Sequence, residues 1–205
     1  MKMSIKTFLF VSITAITLCH LNSAIAAQNN EDKYLEDVVG KSDHWLALKS
    51  LDLDNDGKED GVGIVRHAEP DANGNTCELL ILQRAGSEWV VKDSSGTIVD
   101  CLYNDVARNA QDLSDNLAVK AGEITYINQG VRSNVTFRLA FDDRKKMWFL
   151  SEATSTSPLE DPKTGNMTVA VGTARYPQDI PLTPIGKIDP ESLQKVMDKH
   201  RKTID

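Results

Sequence analysis

The chain has 205 residues, 23 Lys+Arg against 30 Asp+Glu, a formal charge of -7, 40% hydrophobic and 26% charged residues. That length and composition describe a globular protein able to bury a core, and exclude a disordered or polytopic chain. The acidic balance excludes nucleic acid as a general partner, because neutralising phosphates takes a basic surface.

The N-terminus opens with Lys2 and Lys6, continues as an apolar run over residues 7–19, and closes with Ala24-Ile25-Ala26 before polar Gln28 to Glu31. These are the parts of a secretory signal peptide, cleaved after Ala26. A membrane anchor is the alternative, and the apolar run is short for it. A lipoprotein signal through Cys19 is disfavoured by Leu18, where a small residue belongs. No later stretch is apolar enough to span a membrane, so residues 1–26 direct the rest to the periplasm or the outside of the cell. Their removal takes away two lysines and no acid, deepening the formal charge to -9. It also removes Cys19 and leaves Cys77 and Cys101, a pair expected to form a structural disulfide in an oxidising compartment. Closing a loop of that size is worth about 3 kcal/mol in the chain-entropy account.

Residues 29–39 place Tyr34, Leu35, Val38 and Val39 at helical spacing and predict a short N-terminal helix. From Trp45 the pattern turns to strands, at 45–51 and 61–68 on either side of an acidic turn, then 77–84 and 89–93 as a hairpin. A short helix is expected over 105–113. Strands follow at 123–129 and 131–141, the second with Val131, Val135, Phe137, Leu139 and Phe141 on one face. A polar turn at 142–146 leads into a strand at 147–154, and 167–174 adds another. The Pro-marked connector 176–188 ends at Asp189 and Pro190, an N-cap and first-turn residue for a C-terminal helix, with Ile188 and Leu193 set as a hydrophobic staple. The expected fold is α+β, mainly antiparallel β (a meander in a small sheet or sandwich) with short N- and C-terminal helices. It divides into the signal peptide 1–26, a β-rich domain 27–180, and the connector and helix 181–205.

The one sharp chemical motif is the turn at 52–60, Asp-Leu-Asp-Asn-Asp-Gly-Lys-Glu-Asp. Acids at alternate positions converge on a tight turn, and a hard cation such as Ca2+ requires six to eight oxygens at about 2.3–2.6 Å. Asp52, Asp54, Asp56 and Asp60 are the candidate side-chain ligands, and Lys58 the candidate backbone carbonyl after the turn at Gly57. An EF-hand is excluded: its twelfth position is a bidentate Glu, and here it is Gly63 between strand-like flanks. A solvated turn of Asp, Asn and Gly is the plainer alternative, opposed by the mutual repulsion of its acids.

The stretch DLDNDGKED resembles the calcium-binding turn of FG-GAP/VCBS-type repeats, departing from it at Asn55, where that family commonly has Gly. The resemblance covers about 20 residues and implies a structural Ca2+ site. It implies no propeller, because the turn occurs once. More widely, the chain is similar to small exported bacterial proteins that carry one such turn, a paired-cysteine region and a late Trp/Phe-rich meander; that likeness transfers no activity.

Enzyme signatures are thin. His44, His67 and His200 lack zinc-site spacing, no GxSxG elbow occurs, and the paired cysteines leave no thiol nucleophile. His44 and His67 bracket the acidic turn, and Glu88 with Asp93 is an acid pair of the kind a glycosidase uses. The outward row Arg132, Asn134, Thr136 and Arg138 is a candidate face for an acidic or glycan partner, with Trp45, Trp89 or Trp148 as platforms; a solvated strand face and core tryptophans are the plainer reading. The expected function is therefore a non-catalytic exported protein, a binding or inhibitor/immunity-type module for a protein or glycan. An envelope or glycan hydrolase is the alternative.

Overall fold

The computed structural model describes residues 38–70, 72, 74–101, 111–162 and 164–204. The signal segment, the expected N-terminal helix up to residue 37, and residues 105–110 of the helix expected over 105–113 lie outside them. Residues 38–39 are turn and bend, and 111–113 are non-helical.

Two antiparallel meanders follow one another along the chain. The first sheet orders β1 (His44–Leu51), β2 (Asp60–Arg66), β3 (Cys77–Ala85) and β4 (Glu88–Ser95) in space as in sequence. The second runs β5 (Leu117–Lys120), β6 (Glu123–Gln129), β7 (Asn134–Asp142), β8 (Met147–Glu160) and β9 (Met167–Arg175). Helix α1 (Pro190–Lys199) then crosses β9, and β10 (Lys202–Ile204) returns as its outer neighbour. The fold is α+β, mainly antiparallel β, as the periodicity predicts.

One hydrophobic cluster draws on both sheets: Val62, Ile64, Leu79 and Ile81 from the first, Tyr126, Phe137, Leu139 and Leu150 from the second. Each such side chain, fully buried, contributes about 1.5–3 kcal/mol. The alternate residues Val65, Leu80, Leu82 and Trp89 form a separate cluster with Trp45 and Leu48 on the other face of the first sheet. Both faces of β2 and β3 are thus covered, which is why CELLILQR reads as an unbroken apolar run rather than an alternation. The Trp45 ring lies flat against Gly63, leaving no room for a Cβ there.

Two expectations need correction. The strand expected from Val131 begins at Asn134. Val131 sits 78% exposed in a turn that Gly130 N–H closes onto the Ser133 carbonyl (2.8 Å). The strand expected over 147–154 continues to Glu160, because β9 pairs with all of Pro158, Leu159 and Glu160. Beyond Thr156 it has no β7 partner, and on that free edge a proline is tolerated. The C-terminal helix is as expected: Asp189 accepts from Glu191 N–H (3.1 Å) and Ser192 N–H (3.4 Å), and Ile188 and Leu193 are both buried. The strand β10 after it was not expected, three exposed residues being too few to show a period.

The chain entering β1 is tied down by charge. His67 Nδ1 meets Asp43 Oδ2 at 3.0 Å and Nε2 meets Glu78 Oε2 at 3.1 Å, while Ala68 N–H donates to Asp43 Oδ1. Burial pulls the imidazole down, but the two carboxylates outweigh it and hold His67 above its ordinary 6.5. The hydrogen bond from His67, then that from Ala68, holds Asp43 below its ordinary 3.8.

Two outcomes are expected. Gly63→Ala should destabilise by about 1–3 kcal/mol through overpacking against Trp45, read as a lower urea midpoint at unchanged m-value. For His67, a raised folded pKa gives stability fully present below 6.5 and lost as pH rises through the folded value. For Asp43, a depressed pKa gives stability present above 3.8 and lost as pH falls. The stability gap between wild type and His67→Gln should therefore be widest between those two values and narrow above pH 6.5, measured by melts across the range; a gap that widens toward alkaline pH would contradict the assignment.

Candidate metal centre in the β1–β2 turn

Residues 52–59 connect β1 to β2, and Asp60 is the first residue of β2, paired across the ladder with Leu51. The turn is built from its own carboxylates. Asp52 accepts from Asp56 N–H at 3.1 Å and from Gly57 N–H at 3.0 Å, and Asp54 accepts from Asp56 N–H at 3.1 Å. Two residues are left-handed, Asn55 (φ 59°) and Gly57 (φ 84°). Asparagine adopts that region far more readily than other side-chain-bearing residues, so the departure from Gly at 55 leaves the turn intact.

One ligand oxygen each from Asp52, Asp54 and Asp60 lies within 4.8 Å of the others, an all-carboxylate group that could hold a metal ion. Of the five predicted ligand positions the structure unites these three. Asp56 turns aside: its Oδ1 accepts from Lys58 N–H (2.8 Å) and its Oδ2 from Lys58 Nζ (3.1 Å), which hold its carboxyl below the usual range. The Lys58 side chain is exposed.

Asp60 is the unusual member. It is 4% exposed, and its Oδ2 accepts from the buried Leu53 N–H at 2.9 Å. Burial pushes its carboxyl up, the Leu53 hydrogen bond opposes that, and the nearby charge of Asp54 adds to the rise. A carboxylate so placed gains from any cation beside it. The donor set is hard oxygen throughout, which suits Ca2+ or Mg2+ and not a soft metal.

Beside the turn lies a cavity of about 280 Å³ whose wall includes Asp54, Asp56 and Asp60 and, opposite them, Lys92 of β4 and Lys146 of the β7–β8 turn. Lys146, held up chiefly by Asp143 (2.6 Å), also feels Asp54 and Asp56. Sequence reasoning missed both lysines. The Asp142 to Lys146 run was visible, but only the packing of one sheet on the other brings it to residues 52–60.

The other candidates fall elsewhere. Cys77 and Cys101 are bridged, with Cα atoms 5.5 Å apart. His44 pairs with Arg66 at the end of the β1–β2 ladder opposite the acidic turn, and His67 is committed to Asp43 and Glu78, so neither histidine approaches the turn. Glu88 and Asp93 stand five residues apart on one strand, about 17 Å at strand rise, too far for a carboxylate pair across a glycosidic bond. Trp89 and Trp148 are core residues. In the outward row, Asn134 and Thr136 are half-buried and Arg132 is exposed. Arg138 pairs with Glu152 (3.1 Å) and Glu123 (3.7 Å), so its charge is met within the sheet. Among the described residues no helix is long and apolar enough to cross a membrane. Comparison with known protein families, curated proteins and solved structures finds no match to this chain.

Two substitutions at Asp60 separate its roles. Asn keeps the acceptor for Leu53 N–H and removes the buried charge, so Asp60→Asn should melt no lower than wild type without added metal. Asp60→Ala orphans that N–H and should lose about 1–3 kcal/mol, compared by thermal or urea melts in chelator. Equal losses in both would show that the hydrogen bond is unimportant.

Proposed function

We propose that this chain is an exported calcium-binding protein that acts as a binding or inhibitor/immunity-type module for a protein or glycan, the ion serving structure rather than catalysis. The observation that carries the calcium reading is the convergence of Asp52, Asp54 and Asp60, with Asp60 buried and, among the described residues, no cation in contact with it. Asp56 would complete the set by exchanging Lys58 for the ion, and the Lys58 carbonyl would follow it. Ca2+ is favoured over Mg2+ because a loop of flexible carboxylates accommodates six to eight oxygens more easily than strict octahedral geometry.

The disulfide and the signal-like N-terminus support export to the periplasm or beyond, where ambient calcium permits a weak site, with Kd about 10⁻⁴–10⁻³ M. The modular role rests on a rigid two-sheet scaffold whose candidate catalytic pairs are either far apart or committed to structural bonds.

At Ca2+ tenfold above Kd, linkage gives about 1.4 kcal/mol, or about 3–6 °C in Tm for a chain of this size. Calorimetric titration should show one saturable site, with a smaller response to Mg2+. The double substitution Asp52→Asn with Asp54→Asn should abolish both the heat and the Tm shift; an unchanged Tm in wild type at 10-fold excess over this Kd range would overturn the proposal.

A further inference from the structure

At the end of the sandwich opposite the acidic turn, an open cleft of about 720 Å³ lies between α1, the loop that follows β4, and the adjoining ends of β6 and β7. Its volume falls within the range of small-molecule sites, roughly 300–1,000 Å³. The apolar surface of the cleft is offered by Val135 and Pro190, with Val99, Phe137, Leu193 and Met197 buried beneath it.

The wall is held before any ligand arrives. Asn75 Nδ2 lies within hydrogen-bond distance of the carbonyls of Cys77 (3.1 Å), Gly96 (2.7 Å) and Val99 (2.8 Å). Asn128 donates to the Ile98 carbonyl at 2.7 Å and accepts from Asp100 N–H at 3.1 Å. Thr97 Oγ1 donates to the Ile188 carbonyl at 2.8 Å, and the disulfide fixes Cys101 to β3. A loop pinned by side chains along its length loses little further entropy when a ligand seats against it.

Charge selects the ligand. The described lining residues include Asp100, Asp189 and Glu191 and no Lys, Arg or His. The N-terminus of α1 opens here and would otherwise favour an anion, but Asp189 already fills it, accepting from Glu191 N–H, Ser192 N–H and Ser192 Oγ. That leaves the exposed Glu191 to face an incoming head group. We propose that this cleft binds a small organic cation, an alkyl- or arylamine whose apolar body lies against Val135 and Pro190 and whose ammonium group is turned to Glu191. The site is independent of the metal centre and stands or falls apart from the calcium reading.

The test compares three probes with one apolar body, hexylamine, 1-hexanol and hexanoate, titrated into the full chain with its disulfide intact and followed by backbone amide NMR. Hexylamine should give saturable shifts at 96–100, 133–137 and 190–197, bind about fivefold tighter than hexanol, the size of one exposed charge contact, and leave hexanoate weakest. Glu191→Lys, an exposed change that leaves the fold alone, should erase the advantage of the amine. Val135→Trp should fill the cleft and remove both amine and alcohol; if that variant fails to fold, Glu191→Lys decides by itself. Hexanoate binding as well as hexylamine, amine shifts confined to residues 52–60, or no saturable shift at millimolar probe would each overturn the proposal.

Discussion

The hydrogen bond from Leu53 N–H to the buried carboxylate of Asp60 is the interaction on which the join between the two sheets depends. It folds the acidic turn back on itself so that Leu53, 1% exposed, points into the common core while its neighbours Asp52 and Asp54 stay at the surface. The same residue then reaches the second sheet through its backbone: Gly122 N–H donates to the Leu53 carbonyl at 2.7 Å, and the Gly122 carbonyl accepts from Phe141 N–H at 3.1 Å. An unbroken relay therefore runs from a carboxylate in β2 through the turn to the β5–β6 connection and the end of β7. Burying Leu53 yields about 1.5–3 kcal/mol, and that gain is available only while the turn holds its shape. An ionised Asp60 at that position works against it, because burial penalises the charge. A cation among the three aspartates would remove the conflict, so the packing itself defines what such an ion could do.

Much of this architecture was legible from residue order. Strict alternation located β7, and the apolar run at 77–84 announced a largely buried strand. The acidic turn was legible for a different reason: ligand spacing and left-handed residues are properties of nine consecutive positions, so tertiary structure has little to add. What escaped was whatever depends on pairing. Val131 shares the parity of the core residues of β7, but the strand starts three residues later, after the Gly130–Ser133 turn, and parity carries no information outside the ladder. The Ser- and Thr-rich second half of β8 resembles a linker in composition and is a strand because β9 lies alongside it. The arrival of Lys92 and Lys146 at the cavity beside the turn is likewise a fact of three-dimensional neighbourhood.

The registers also place the molecule's two polar features far apart. Along β2 the acidic turn is at Asp60 and the disulfide end at Arg66, opposite Cys77. Along β7 the turn lies near Asp142 and the cleft near Asn134 to Phe137. Seven residues of strand separate them by about 20 Å. The acidity that seemed a uniform property of the chain is thus concentrated locally, in a turn whose charges oppose one another and in a cleft rim whose charges face an apolar wall.

Distance alone does not make such sites independent; the absence of a second arrangement between them does. Coupling needs an element with two discrete states that both ligands bias. Here the intervening material is strand, hydrogen-bonded on both sides in β2, β3, β6 and β7, with its core side chains fully buried. The cleft wall is pinned by Asn75, Asn128 and the Cys77–Cys101 bridge, none of which touches the turn. A cation bound at the turn would stabilise the native state as a whole and so protect the cleft against unfolding, without any contact of its own to the cleft wall.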